Sequence, residues 1–296
     1  MEKCTLCPRE CRADRIGGAA GACGVAGEGI LLARAALHMW EEPCISGEKG
    51  SGTVFFVGCP LRCVYCQNYE IAHAGTGKRV TKERLAEIFL ELQEKQAANI
   101  NLVTPTHYTP EIVWAVEKAR TQGLSIPVVY NCSGYEKIET LRMLEGIVDI
   151  YLTDFKYMEK ELAARYSKAP DYPEIAKMAL GEMVRQAGGT VFDEKGMMQR
   201  GVIVRHLLLP NHLKNAEAVV KYVYETYGDQ VAISLMNQYT PLPRMKDWPE
   251  LNRRVTRREY DRLISYAISL GVENGFIQEG KTSEESFIPA FDCEGV

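Results

Sequence analysis

From Thr53 onward, short runs of apolar, β-favouring residues alternate with longer segments whose apolar positions recur every three to four residues. The first pattern suits a buried strand, and the second lays one apolar stripe along a helix. Strands are predicted at residues 53–57, 99–103, 126–130, 148–153, 202–208 and 231–235. Helices are predicted at 82–96, 110–122, 135–144, 172–187, 216–227 and 256–270. Thr81 is placed as the N-cap of the first helix and Pro110 in the first turn of the second. Strand–helix units in this order make a parallel sheet covered by helices, either an open doubly wound sheet or a partial barrel. In both, ligands gather at the carboxyl ends of the strands. Residues 1–50 break the pattern. Gly17, Gly18, Gly21, Gly24, Gly27 and Gly29 interrupt any period, so this stretch reads as a small, irregular module organised by metal.

Composition narrows the class. The 296 residues are 46% hydrophobic and 25% charged, enough for one large core or two modest domains. A net charge of -4 and the lack of a basic tract argue against a nucleic-acid partner, which needs a positive surface to displace phosphate counterions. The opening Met1-Glu2-Lys3-Cys4 has no apolar signal core, and apolar runs such as 207–209 fall far short of a membrane span. A cytoplasmic location without a membrane partner is the expectation. Ten cysteines in a long chain rich in core-forming residues read as reduced thiols rather than a disulfide scaffold. Seven of the ten fall in two tight groups before residue 67, and clustered thiolates in a reducing compartment mean metal.

The second group follows the first predicted strand directly. Cys59, Cys63 and Cys66, spaced C-x3-C-x2-C, sit on a loop punctuated by Gly58 and Pro60. Structural zinc and ferredoxin clusters take four protein ligands, so three compact thiolates point to a cluster with one coordination position free. The alternative is a zinc site completed by a distant residue such as Cys132 or a histidine.

This motif, with Tyr65 before its third cysteine and its place after the first of several strand–helix units, resembles the signature of the radical S-adenosylmethionine superfamily. The resemblance implies a partial (β/α)6 barrel of the TIM type over residues 51–280, with 281–296 as a C-terminal tail. It implies a 4Fe-4S cluster whose open iron binds the amino and carboxylate groups of S-adenosylmethionine. Reductive cleavage then gives a 5'-deoxyadenosyl radical that takes a hydrogen atom from substrate. More narrowly, Glu41-Glu42-Pro43-Cys44-Ile45-Ser46-Gly47, Gly50-Ser51-Gly52-Thr53 and Cys66-Gln67-Asn68-Tyr69 are similar to the pyruvate formate-lyase-activating-enzyme-like branch.

Polar residues at strand ends are the candidates for holding this cofactor: Thr104, Thr106, His107, Asn131, Ser133, Asp154, Lys156, Arg205, His206, Asn211, Asn237 and Gln238. S-adenosylmethionine needs a cation for its carboxylate, acceptors for its amino group, polar partners for two ribose hydroxyls and a flat slot for adenine. Lys156, Asp154, Asn131 or Ser133, and Tyr65 suit those roles in turn, with Asn68 beside them. The resemblance supports the Asp154-x-Lys156 pair, since activating enzymes carry one at this strand end, with lysine facing the methionyl carboxylate. It departs at Thr104-Pro105-Thr106-His107, where relatives present Gly-Gly-Glu. Threonine hydroxyls and backbone carbonyls can accept the same hydrogen bonds. His107 reads equally as a proton donor and as a neutral histidine bonded to a loop carbonyl. His206, inside an apolar strand of alternating pattern, reads about equally as facing the barrel interior, as a cofactor contact, and as facing away from it.

The first cysteine group, Cys4, Cys7, Cys11 and Cys23, supplies four thiolates for a closed site. A structural zinc is favoured, because the segment lacks a core of its own, with an auxiliary iron–sulfur cluster as the second reading. Cys44 and Cys132 read as buried small apolar residues, and Cys293 has no supporting pattern. Three functions follow: hydrogen abstraction from a glycine of a partner protein, radical modification of a small metabolite or peptide, or a non-catalytic iron–sulfur or zinc protein. The free coordination site argues against the third. A flavodoxin- or ferredoxin-type reductant is the implied partner.

Overall fold

The structure is a computed structural model that describes residues 3–278 and 288–296. Its strands are β1 (Ile30–His38), β2 (Ser51–Phe56), β3 (Lys78–Val80), β4 (Ile100–Val103), β5 (Val128–Cys132), β6 (Ile150–Asp154), β7 (Val191–Phe192), β8 (Met198–Leu207), β9 (Ala232–Met236) and β10 (Gly275–Ile277). Its helices are α1 (Pro43–Ser46), α2 (Tyr69–Ala72), α3 (Lys82–Glu94), α4 (Thr109–Thr121), α5 (Ile138–Arg142), α6 (Lys160–Ser167), α7 (Tyr172–Ala187), α8 (Leu213–Tyr227) and α9 (Arg257–Leu270).

One sheet runs in the order β10-β9-β8-β6-β5-β4-β2-β1-β3, with β7 attached to β8 off that path. Every pairing from β10 to β2 is parallel, and β1 and β3 complete the far edge antiparallel. The six predicted strands are β2, β4, β5, β6, β8 and β9. Strands β2, β4, β5 and β9 are buried at every position, which is why they read as continuous apolar runs. The Thr81 hydroxyl caps α3 by accepting from the Arg84 N–H at 3.2 Å, and α7 spans the predicted residues.

Several features differ from the sequence reading: β3, β7, β10, α1, α2 and α6 form where no element is predicted, and α5 is shorter than the helix expected at 135–144. Residues 30–38, expected within the irregular module, form β1, because Ile30, Leu32 and Ala33 bury their side chains once this segment pairs with β2. The tail is tied to that strand, with the Cys293 N–H on the Ala33 carbonyl and the Ala35 N–H on the Glu294 carbonyl. Residues 281–287 of the expected tail lie outside the described residues.

The two faces of the sheet have different neighbours. Tyr130, Tyr151, Val202 and Val204 join the large core with helix residues such as Phe89, Ala115 and Ala176. Val129, Ile150, Leu152, Ile203 and Ala232 face the other way and form a second cluster with Cys44 and Ile45 of α1. Strand alternation therefore puts Asn131, Asp154 and Arg205, two residues further along β5, β6 and β8, on this inner face toward the carboxyl ends. Helix α1 closes the floor beneath them. Among the described residues no helix is long and apolar enough to cross a membrane.

Candidate cofactor site

The loop after β2 is shaped by what packs behind it. Gly58 has φ +93°, and a Cβ there would lie 2.5 Å from Val25 Cγ2 and 2.9 Å from the Cys23 carbonyl oxygen. Only glycine lets the N-terminal segment approach this closely. The Cys59 N–H donates to that Cys23 carbonyl at 3.3 Å. Arg9 adds a second tie through its Nε, which donates to the Pro60 carbonyl at 2.9 Å.

Cys59, Cys63 and Cys66 then line one cavity together with Tyr65, Asn68, Thr104, Asn131, Ser133, Asp154, Lys156 and Arg205. The sequence-chosen residues come from the ends of β4, β5, β6 and β8 and meet there because a parallel sheet brings its carboxyl ends to one rim. Gln238, Glu41 and His38 line the same cavity.

The donor set fits an iron–sulfur cluster with an open position. Burial pushes the Cys59 thiol up to about 11 and the Cys66 thiol up to about 12, and neighbouring sulfurs add to both. Metal must therefore displace thiol protons here. Each sulfur also has donors that stabilise negative charge: the Arg62 and Leu61 N–H groups for Cys59, the Asn68 N–H for Cys66, and the Ser167 hydroxyl for Cys63 at 3.0 Å. Among the described residues no three His, Cys, Asp or Glu side chains are arranged to hold a single metal ion. The fit rests on donor chemistry and on the shared cavity.

Beside the cysteines, Lys156 Nζ donates to Asp154 Oδ2 at 2.6 Å. Burial works against the lysine charge, yet Asp154 and the Cys63 and Cys66 sulfurs hold its pKa above the ordinary lysine value. The cavity thus presents a permanent cation and a carboxylate next to the thiols. Tyr172 fixes this corner: its hydroxyl accepts from the Lys156 N–H at 2.9 Å and donates to the Ser133 carbonyl at 2.8 Å.

Five sequence candidates do not line this cavity: Asn237, Asn211, whose side-chain amide donates to the Glu250 carbonyl at 2.8 Å, and His206, Thr106 and His107. His206 follows Val202 and Val204 onto the helix face, its Nδ1 lies 2.7 Å from the Phe155 carbonyl, and burial lowers it to about 4. Thr106 is buried and donates to Glu136 Oε1 at 2.8 Å. His107 Nε2 sits 2.8 Å from the Val57 carbonyl, and burial lowers it to about 3, so this histidine is neutral. Tyr65 lines the cavity with its ring, while its hydroxyl lies 2.7 Å from that of Tyr157.

Glu41 lies on the cavity wall, a place its sequence motif does not mark. Its carboxylate accepts from Arg205 Nη1 at 2.7 Å and from the side-chain amides of Asn101 and Asn131 at 3.0 and 3.3 Å. Arg205 Nη2 donates in turn to Asn131 Oδ1 at 2.7 Å. No periodicity marks Glu41, because it enters the inner face from the turn after β1.

Cys4, Cys7 and Cys23 are buried and Cys11 is exposed. Backbone turns shape the segment around Cys4 and Cys7: Arg12 N–H bonds the Cys4 carbonyl, and Glu10 N–H bonds the Cys7 carbonyl. Burial raises the Cys7 and Cys23 thiols, and each sulfur accepts an N–H two residues on, from Arg9 and Val25.

The family model for the Radical SAM superfamily matches residues 53–199. An uncharacterized protein of Methanocaldococcus jannaschii is 30% identical over 239 residues, covering 78% of this chain and 65% of its own length. The structure of HydG, a maturase of the FeFe-hydrogenase, superimposes with a TM-score of 0.52 at 14% identity, over 76% of this chain and 51% of HydG, and shares the fold. Streptococcus suis SuiB bound to S-adenosylmethionine has a TM-score of 0.49 at 12% identity, over 75% of this chain and 48% of SuiB. The chain thus spans under two thirds of the length of each of these proteins.

Proposed function

We propose, from the radical SAM superfamily membership that the match over residues 53–199 supports, that this chain is an enzyme in which Cys59, Cys63 and Cys66 hold a 4Fe-4S cluster. The observation that carries the reading is one cavity lined by all three cysteines together with Asp154, Lys156, Asn131 and Ser133. When bound, the cluster and S-adenosylmethionine supply a 5'-deoxyadenosyl radical that removes a substrate hydrogen atom.

The protein's own groups bind and orient. Lys156 offers its ammonium to the methionyl carboxylate, and Asp154 accepts from the amino group while holding Lys156 in place at 2.6 Å. Asn131 and Ser133 offer polar atoms to the ribose, Thr104 accepts from the amino side, and the Tyr65 ring and Asn68 face the adenine end. Asn131 is held by Glu41 and Arg205, so its amide orientation is set before ligand arrives.

The substrate hydrogen is assigned to a glycine of a partner protein, following the likeness to activating enzymes. A small polar metabolite is the second reading, favoured by the Glu41–Arg205 pair on the same cavity wall. The four N-terminal cysteines are proposed as a second metal site, and a flavodoxin- or ferredoxin-type protein as the electron source. Deuterium transfer from labelled candidate substrates into 5'-deoxyadenosine tests the substrate assignment. Label arriving from a glycine of a co-purifying protein supports the first reading, and label arriving only from a small molecule overturns it.

A further inference from the structure

The outer face of the cysteine loop carries unbalanced positive charge. A surface depression there is lined by Arg9, Arg62, Lys168 and Arg244, together with Ser167 and Trp248, and no acidic side chain contributes to it. Among the described residues none of these four cations forms an ion pair. Arg9 and Arg244 are spent on carbonyls instead. Arg9 donates to those of Pro60 and Ser167 at 2.9 and 2.8 Å, and Arg244 to those of Val64 and Cys66 at 2.7 and 3.0 Å. Four uncompensated cations in a chain of net charge -4 are a local accumulation, not an average surface.

This patch and the cofactor cavity are two sides of one wall. Along the loop, Cys59, Cys63 and Cys66 line the cavity, whereas Pro60, Arg62 and Val64 line the outer depression. Ser167 lines the depression and donates its hydroxyl to Cys63 Sγ at 3.0 Å. A partner seated outside is one residue from the cluster ligands, without access to the cavity itself.

We infer that this depression is the docking face for a small, acidic one-electron carrier protein. The inference rests on the proposed cluster. One electron leaves the reduced carrier, which is oxidised, and enters the cluster behind the loop, which is reduced. Carboxylates on the carrier meet Arg9, Arg62, Lys168 and Arg244, and the charge match steers the encounter and aligns the carrier with the loop. A protein that only had to reach the substrate would face the open cavity rather than its outer wall.

The test follows the cluster's visible absorbance on rapid mixing, using the reconstituted full chain and a reduced flavodoxin as the probe. The rate of cluster reduction by flavodoxin is expected to fall about tenfold as salt rises from low to high ionic strength. In the Arg62→Glu/Lys168→Glu double variant it is expected to fall by at least a similar factor, with iron content unchanged. Reduced methyl viologen, a cationic one-electron donor, is expected to reduce both proteins without a loss in rate. A flavodoxin rate indifferent to salt and to charge reversal overturns the inference. So does a double variant that is reduced normally by flavodoxin yet turns over slowly, which would give the patch to another anionic partner. A chain whose cluster neither donor reduces overturns the proposed function, and the docking face with it.

Discussion

The Ser167 hydroxyl donates to Cys63 Sγ across 3.0 Å, so a residue at the end of α6 reaches a cluster ligand 104 positions away in the chain. Because Ser167 gives its proton to sulfur, the hydroxyl of Tyr157, 2.8 Å away, must donate to Ser167, and Tyr65 must donate to Tyr157. The buried chain Tyr65–Tyr157–Ser167 thus points its donors toward one thiolate. Hydrogen bonds to cluster sulfurs favour the reduced, more negative state. Ser167→Ala is expected to lower the cluster's reduction potential by on the order of 40 mV, the equivalent of ~1 kcal/mol for one electron. A potentiometric titration checks this, and an unchanged or raised potential counts against it.

Among the described residues Lys156 is the one ammonium that lines the cavity with the cysteines, and Asp154 holds it. Replacing it with methionine keeps the side-chain volume and removes the charge. S-adenosylmethionine binding is expected to weaken roughly 10- to 100-fold, the size of one charge-assisted hydrogen bond. Equilibrium binding to the oxidised, loaded protein measures the change, and unaltered affinity would place the carboxylate elsewhere.

Glu41 and Arg205 form an ion pair of 2.7 Å with side chains only 8% and 14% exposed. Glu42 Oε2 at 3.8 Å and Asp154 Oδ1 at 3.9 Å also face Arg205, so removing Arg205 strands buried carboxylates, whereas removing Glu41 leaves the guanidinium with two partners. Arg205→Leu is therefore expected to cost about 3–5 kcal/mol in urea unfolding, and Glu41→Leu less than that. An Arg205→Leu variant within ~0.5 kcal/mol of wild type would show that the pair contributes little.

Burial lowers His107 to about 3 and His206 to about 4, so both stay neutral in the fold while the unfolded chain protonates them near 6.5. The unfolded state then binds more protons in the window from about 6.5 down to about 4, and stability falls as pH falls through it. The size is on the order of 3 kcal/mol per histidine at the acid end. Urea unfolding of wild type and His206→Asn across this window is expected to show a shallower slope in the variant. Parallel slopes would mean that His206 titrates normally.

The legible part of this protein was whatever short-range sequence encodes. The cysteine loop was readable because its three thiols lie within eight residues and follow a recognisable strand, and Asp154 and Lys156 because they end another. The facing of His206 is open in the sequence, because an apolar run buried on both faces carries no phase. The face is set by the register between β6 and β8, where Arg205 lies opposite Asp154. Glu41 and Ser167 act from a turn and from a helix end, where neither period applies, so only the folded chain brings them to Asn131 and Cys63. Strand β1 was hidden by the glycines and cysteines before it, although its own residues have an ordinary strand pattern.

The proposed chemistry is tested most directly by the release of 5'-deoxyadenosine. The chain is reconstituted anaerobically with iron and sulfide, reduced with dithionite and incubated with S-adenosylmethionine. Wild type is expected to release 5'-deoxyadenosine, and Cys63→Ala, lacking one of the three cluster ligands, to release none above background. Release from Cys63→Ala equal to wild type would contradict the assignment of Cys59, Cys63 and Cys66 to the radical-generating cluster.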